Sequence, residues 1–487
     1  MKVVPLVALL LVAVVGPSRT AAAEPQQEQM PLSPPRTASQ APVAPMVSSP
    51  FLGGVPSGTA TDGVETITII QALTRALEHN LGVLTAEDSV GRAQGARWRA
   101  LSDLLPNVNG RVGETRQLVN LQAFGFGGAA SPFPTLSSIV GPFNVFDARV
   151  FLSQSLLDLG ALNDARAEAH NLEASRHLAK GARDFVLYVT GTLYVQALAM
   201  SARADAARAQ QETAEALHAQ ALDLKTSGIV AGIDVLRSEV QLNLQRQRLT
   251  VAQNEFEKGK LQLARTIGLP LGQKFALDPA LPVLPAADMS LDQAVERAYA
   301  TRPDYLAAQE RIRAAEATRR AVVGDTLPSV RVNADYGDIG LSPADSHVTY
   351  SVAGAVTIPI FQGGRTRGRL LEADANIRSR RAEAEDLKAS IYYEIRTAFL
   401  DLDATSKQLA VAGTARDLAA QQMTQARDRF AAGVASGIEV IQAQDALAVA
   451  TEQLIDAQYG YDLAKGALSR GIGTPEQLLR LILGGRP

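Results

Sequence analysis

The chain has 487 residues, a net charge of -3, 46% apolar residues and no cysteine. That supports a large buried core, excludes a disulfide framework and gives no electrostatic reason to expect a nucleic-acid partner. The five histidines, His79, His170, His177, His218 and His347, are scattered with no His-Glu-x-x-His spacing, and there is no Gly-x4-Gly-Lys-Ser/Thr phosphate loop. No catalytic constellation, metal set or cofactor is therefore expected, and the chain does not read as an enzyme.

In chain order, Lys2 precedes an apolar run from Val3 to Val15 and then Ala21-Ala22-Ala23. This is the pattern of a secretory signal peptide over residues 1–23, with no cysteine there for lipid attachment. Residues 24–63 are rich in Pro, Gln, Ser and Gly and read as a flexible leader. No later stretch approaches eighteen continuous apolar residues, so no spanning helix is expected in the mature chain.

From residue 64 the sequence says the same thing twice. Gln71-Ala72-Leu73 through Leu105-Pro106 returns as Gln293-Ala294-Val295 through Leu327-Pro328, shifted by 222. Gln220-Ala221, Asp223, Gly228 and Gly232-Ile233-Asp234-Val235 return as Gln425-Ala426, Asp428, Gly433 and Gly437-Ile438-Glu439-Val440, shifted by 205. The match continues to Arg265, Ile267 and Gly268 against Arg470, Ile472 and Gly473. The repeats occupy 64–269 and 289–474, joined by 270–288 and followed by a tail, 475–487. A unit of about 200 residues is far longer than a solenoid repeat. It indicates one large module used twice.

No proline lies between Pro142 and Pro270 or between Pro359 and Pro475, and both stretches are rich in helix formers. Gly160 to Gly228 would run roughly 100 Å as one helix. Val235, Leu242, Leu249, Phe256 and Leu263 recur every seven residues, as do Val440, Leu447, Leu454, Tyr461 and Leu468. Ala443, Ala450, Ala457 and Ala464 form a second row, a seam for close supercoiled packing. Trp98, the only tryptophan, sits in a helical Arg-rich run and reads as a packing or interface residue.

Ahead of each long helix the period changes to two. Val330, Val332, Ala334 and Tyr336 alternate with Ser329, Arg331, Asn333 and Asp335, and Val348, Tyr350 and Val352 alternate with His347, Thr349 and Ser351. Phe146, Ala148, Val150 and Leu152 oppose Asp147, Arg149 and Ser153 in the first repeat, paired with a strand holding Val108 and Val112. The first hairpin has the longer loop, with Phe124-Gly125-Phe126-Gly127-Gly128. Strands of about ten to fifteen residues suit a tilted membrane crossing. Four strands cannot close a barrel, and open edges are intolerable in lipid. Three copies would supply twelve.

The duplicated Gly-x3-Gly-Ile-Asp/Glu-Val turns, the Leu105-Pro106 and Leu327-Pro328 strand starts, and the strand ends at Leu156–Gly160 and Ile360–Gly364 resemble the TolC-like outer membrane efflux factors over residues 64 to 474. The resemblance implies an α+β membrane protein and a homotrimer. Four strands per subunit would form a 12-stranded outer membrane β-barrel continuous with a long periplasmic α-helical coiled-coil barrel. It implies a passive exit duct working with a periplasmic adaptor and an inner-membrane pump, embedded in outer membrane lipid. An exported coiled-coil scaffold or adaptor without a pore is the alternative, and it has no use for amphipathic strands.

The resemblance places the two turns at the periplasmic tips. Glu439 follows the second turn, where the family usually places a pore-facing carboxylate, and Asp234 is its counterpart. Three copies of Glu439 would attract cations. The second acidic position of the family is Gln442 here, with Arg237 in the other repeat, so the constriction is less acidic. Gly228, Gly232, Gly433, Ser436 and Gly437 are the adaptor-docking tip residues, the glycines supplying left-handed turn conformations. Lys225, Arg429 and Phe430 are candidates for holding the tip closed.

Overall fold

The computed structural model describes residues 49–124, 139–281 and 289–473. The expected signal peptide, most of the leader, Gly125–Gly128, part of the inter-repeat segment and the C-terminal tail lie outside the described residues.

The duplication is visible element by element. The first half runs β1 (Glu65–Ile67), α1 (Ile69–His79), α2 (Leu81–Ser102), β2 (Asn107–Asn120), β3 (Ile139–Leu157), α3 (Leu159–Thr226) and α4 (Gly232–Thr266). The second runs β4 (Phe275–Leu277), α5 (Leu291–Thr301), α6 (Pro303–Gly324), β5 (Ser329–Gly340), β6 (Ser346–Thr357), α7 (Arg365–Ala431) and α8 (Gly437–Ile472). Matching helices have nearly equal lengths: α3 has 68 residues and α7 has 67, α4 has 35 and α8 has 36. At about 1.5 Å per residue, α3 and α7 are each roughly 100 Å long.

Local signals set the short helices. Thr68 and Ser290 each head a helix through a reciprocal capping box, with Gln71 and Gln293 as the returning side chains. Asn80 ends α1 and caps α2 by accepting from the Gly82 N–H. At the equivalent break Arg302 precedes Pro303, which opens α6.

β2, β3, β5 and β6 form one antiparallel sheet in that order. Its registers pair Val108, Leu152, Ala334 and Val352 in one row, and Gly110, Val150, Tyr336 and Tyr350 in the next. β3 has 19 residues, longer than the sequence suggests, because its outer end continues the pairing with β2 past an irregularity at Gln117–Val119.

Above the middle of the long helices, α3 packs between α2 and α6, and α6 against α7. Below it, α4 and α8 return beside α3 and α7, with α3 also touching α8. The middle is the core. Tyr194, fully buried, donates to the carbonyls of Ile67 and Asp278, tying α3 to the C-terminal ends of both strands of the small parallel β1–β4 pair. Val186, Leu193, Leu198, Leu263, Ile267 and Phe275 surround it. Ile391, Ile395, Leu468 and Ile472 build the matching cluster in the second half.

One expectation changes and one is qualified. Residues 49–57 have the composition of a flexible leader, yet Phe51 stacks edge-on against Phe185 at 4.8 Å. The Ser57 carbonyl also receives Arg75 at 2.7 Å. A few apolar and carbonyl contacts suffice to order a stretch whose composition is otherwise linker-like. The second concerns α3, which carries an 18-residue window of mean hydropathy 1.4, long and apolar enough by composition to cross a membrane. Half of that window is buried inside the chain. Its apolar character is that of a core helix contacted by α1, α2, α4 and α6.

Candidate functional site

The two tips are built alike. At the end of α3, Gly228 adopts φ +73°, the Ile229 N–H returns to the Leu224 carbonyl, and the Gly228 N–H to Lys225. At the end of α7, Gly433 adopts φ +73°, Val434 returns to Arg429, and Gly433 to Phe430. Both are Schellman turns, and the left-handed residue is why glycine is needed there. Gly232 and Gly437 correct the expectation. They are the first residues of α4 and α8 and lie outside the left-handed positions. Gly437 instead allows close approach: a methyl there would stand 3.4 Å from the Asp234 carboxylate. A methyl on Gly433 would meet Ile229 at 3.5 Å, so the two tips sit side by side in one chain.

Charge at the tips is paired locally. Glu439, in the first turn of α8, lies 3.4 Å from Arg429 at the end of α7. Asp234, with only 16% of its side chain exposed, lies 3.3 Å from Arg237. A carboxylate in a first helical turn is also favoured by the helix dipole. Gln442 and Ser436 are exposed, and Ser436 heads α8 without a side-chain cap bond. Lys225 is exposed beside the first turn. Phe430 does not project from the tip. It is buried with Leu217, Met423, Ala426, Val440 and Ala443 in a small tip core.

The sheet has two chemically different faces. One carries Val108, Val112, Val150, Tyr336, Val348, Tyr350, Val352 and Val356, all exposed, with Val112 at 76% and Tyr350 at 74%. Four rows two residues apart, from Val330–Val356 to Tyr336–Tyr350, make a largely apolar band about 20 Å tall, interrupted by Gln154 beside Val332, and the next row carries Asp338 between Val112 and Val348. The other face is polar and more enclosed. Arg149 binds Asp147 of its own strand at 2.6 Å and Asp335 of β5 at 3.1 Å, and Arg111 and Arg149 both lie over the Phe151 ring. The alternation of Asp147, Arg149 and Asp335 in the sequence signals this face, but not its cross-strand pairing.

Below the middle lies a feature that sequence reading passed over. Gln241, Gln245 and Gln444 are buried between α3, α4 and α8. Gln241 donates to Asp445 and Gln444 to the Gln210 carbonyl, while neither amide atom of Gln245 has a partner. Gln245 is three residues after Leu242, in the row that Ala450 occupies in the second half, so the heptad itself marks the exception. Among the described residues, no group of His, Asp and Glu side chains is placed to hold a metal.

A pair of long helical hairpins hung from a sheet with one apolar face is an arrangement shared with solved outer membrane channels. The outer membrane efflux protein family matches residues 294–474, the second repeat. The chain is 24% identical over 417 residues to the pyoverdine export outer membrane protein OpmQ of Pseudomonas putida, covering 82% of this chain and 84% of that one. In fold it is similar to the CmeC outer membrane channel of Campylobacter jejuni, with a TM-score of 0.74 at 17% identity over 87% of this chain and 91% of that one. It is also similar to the outer membrane protein VceC of Vibrio cholerae, with a TM-score of 0.71 at 17% identity over 83% and 96%. The family match lies in the second repeat, and the similarity to these outer membrane proteins extends over more than four fifths of the chain.

Proposed function

We propose that this chain is the outer-membrane exit duct of a tripartite efflux or type I secretion system. The carrying observation is the sheet. Its apolar face is exposed and its two edge strands, β2 and β6, have no partner strand on their outer sides among the described residues. Lipid tolerates the face but not the edges. Three copies pooling four strands each close a 12-stranded barrel, with the Arg149–Asp147–Asp335 face turned to the lumen. The α3–α4 and α7–α8 hairpins then continue the wall into the periplasm, with the tips at Gly228 and Gly433 farthest from the membrane.

In this reading the duct is passive. A periplasmic adaptor docks on the tips around Gly228, Gly232, Gly433, Ser436 and Gly437, and an inner-membrane pump supplies the energy and selects the cargo. Three Glu439 carboxylates form a ring that favours cations, moderated by Arg429 and by Gln442 in place of a second acid. Lys225 and Arg429 hold the closed tip, Arg429 through its pairing with Glu439. A scaffold without a pore is disfavoured, because it has no use for the exposed Val and Tyr rows.

Purification from the outer-membrane fraction in detergent, followed by planar-bilayer recording, tests the reading. A trimer with stepwise conductance is expected. A soluble periplasmic monomer would end it.

A further inference from the structure

Within one chain, the equatorial end of α8 closes on the first repeat. Arg470, at the end of α8, lies 5.0 Å from the Phe185 ring and 5.2 Å from the Tyr188 ring of α3. It also pairs with Glu394 of α7 at 3.3 Å. The offset of 205 that relates the two tips also relates Arg265 to Arg470 and Tyr188 to Tyr393.

The surroundings obey the same offset. Val186 and Ile391 are both fully buried, as are Thr190 and Ile395, and Leu263 and Ile267 are buried like Leu468 and Ile472. Lys260 lies on the Phe256 ring and pairs with Glu257, while Lys465 lies on the Tyr461 ring and pairs with Asp462. The two equatorial sites are copies of one another. Yet Arg265 is exposed, with no side-chain partner among the described residues, and Tyr393 is 67% exposed, with the Tyr392 ring as its one ring contact among the described residues. One half of the duplicated contact is made, and the other half is left open on two opposite flanks of the chain.

We propose that α4 of one copy receives α7 of the next, seating Arg265 on the ring of Tyr393 of the partner subunit. This rests on the trimeric reading above and adds its register. The occupant is a second copy because the order of helices dictates it. α3 of the first repeat meets α8 of the second within a chain. One step further round, the corresponding pair is α7 and the α4 of the following chain. Exposed apolar side chains lie along both helices, with Leu236, Val251 and Leu261 on α4 and Leu400, Val411 and Leu418 on α7. The two junctions are not identical. Ser390 stands where Phe185 does, so the contact between copies uses one ring instead of two. Below it, the Arg203–Asp456 ion pair within the chain corresponds to Gln408 and Val251, which form none. The junctions therefore agree at the equator and diverge toward the tip.

The natural chain has no cysteine, so an Arg265→Cys, Tyr393→Cys double variant carries two thiols only. Treated with a short bis-maleimide in detergent, the full-length protein should give covalent dimers and trimers on a denaturing gel, and neither single variant should. An Arg470→Cys, Tyr188→Cys variant, whose contact lies within one chain, should react without increasing the chain count. If light scattering reports a trimer but the first double variant runs as a monomer on the gel, the contact is wrong and the trimer stands. If light scattering reports a monomer, both fall. Tyr393→Phe should keep the heat resistance of the trimer and Tyr393→Leu should lower it. Equal loss in the two would remove the cation–ring character of the contact.

Discussion

In the first repeat the break between α1 and α2 is held by Asn80, and in the second the break between α5 and α6 is held by Arg302. Both side chains are buried. Each reaches the last turn of a returning helix, Asn80 donating to the Thr266 carbonyl at 3.2 Å and Arg302 to Gly471 at 3.3 Å. Thr266 and Gly471 are themselves related by the repeat. The amide completes its bonds with the carbonyls of Phe51 and Thr266 and the N–H of Gly82. The guanidinium needs carboxylates, Asp304 and Glu394, both at 2.7 Å. Duplication kept the contact and let its chemistry diverge from neutral to ionic.

Substitutions can break that comparison in order of size. Arg302→Leu leaves Asp304 without its cation and Glu394 with Arg470 alone, and should cost about 3 kcal/mol, seen as the largest drop in the thermal midpoint of the detergent-solubilised protein. Arg302→Lys should recover only part, because a point charge cannot serve three acceptors as a planar fork does. Asn80→Ala should cost about 2 kcal/mol through two carbonyls and one cap. A drop at Asn80 equal to that at Arg302 would show that the ionic junction is no more demanding than the neutral one.

The pH dependence sharpens the same contrast. Burial pushes the Asp304 carboxyl up, but Arg302 and the N–H groups of Tyr305 and Asp304 outweigh it and hold the carboxyl below its ordinary value. Its folded pKa is thus lower than its unfolded one. The stability it contributes is present above the ordinary carboxylate range, near pH 4, and is lost as pH falls through the depressed folded value. Arg302→Leu should flatten that acid limb of the melting curve, and Asn80→Ala should leave it in place.

At the tips the effects are smaller. Gly228→Ala and Gly433→Ala should each cost about 1 kcal/mol because of the left-handed backbone, read as faster proteolysis at the turns. Gly232→Ala should cost less. Smallest of all, Glu439→Gln should reduce cation preference in single-channel recordings and Arg429→Gln should increase it. An unchanged reversal potential in both would place the pair away from the pore.

The sequence makes some of this plain and hides the rest for definite reasons. The long helices, the heptad rows and the hairpins are legible because they rest on period and on missing prolines. Gly228 and Gly433 are legible because a left-handed turn leaves little choice of residue. Gly232 and Gly437 look equivalent to them, but they open α4 and α8 outside the left-handed region, and Gly437 alone packs against Asp234. Phe430 reads as a tip residue because an aromatic beside a turn does not disclose which side of the helix it takes. The Asn80–Arg302 relation is invisible to residue matching, since what was conserved is a reach to a carbonyl and the two side chains share no chemistry. The packing of Phe51 against Phe185 joins residues 134 positions apart, beyond any local pattern.

The unbroken length of α3 has a mechanical consequence. Tyr194 is gripped at the middle by two carbonyls, and Gly228 closes the same helix, 34 positions along. At about 1.5 Å per residue that arm is roughly 50 Å, so a tilt of about 5° around Tyr194 carries the turn some 4 Å, roughly three quarters of a helical pitch. α7, of nearly equal length, offers the same leverage from Phe399 to Gly433. An angle too small to disturb the packing at the fulcrum becomes, at the far end, a displacement comparable to the width of a side chain.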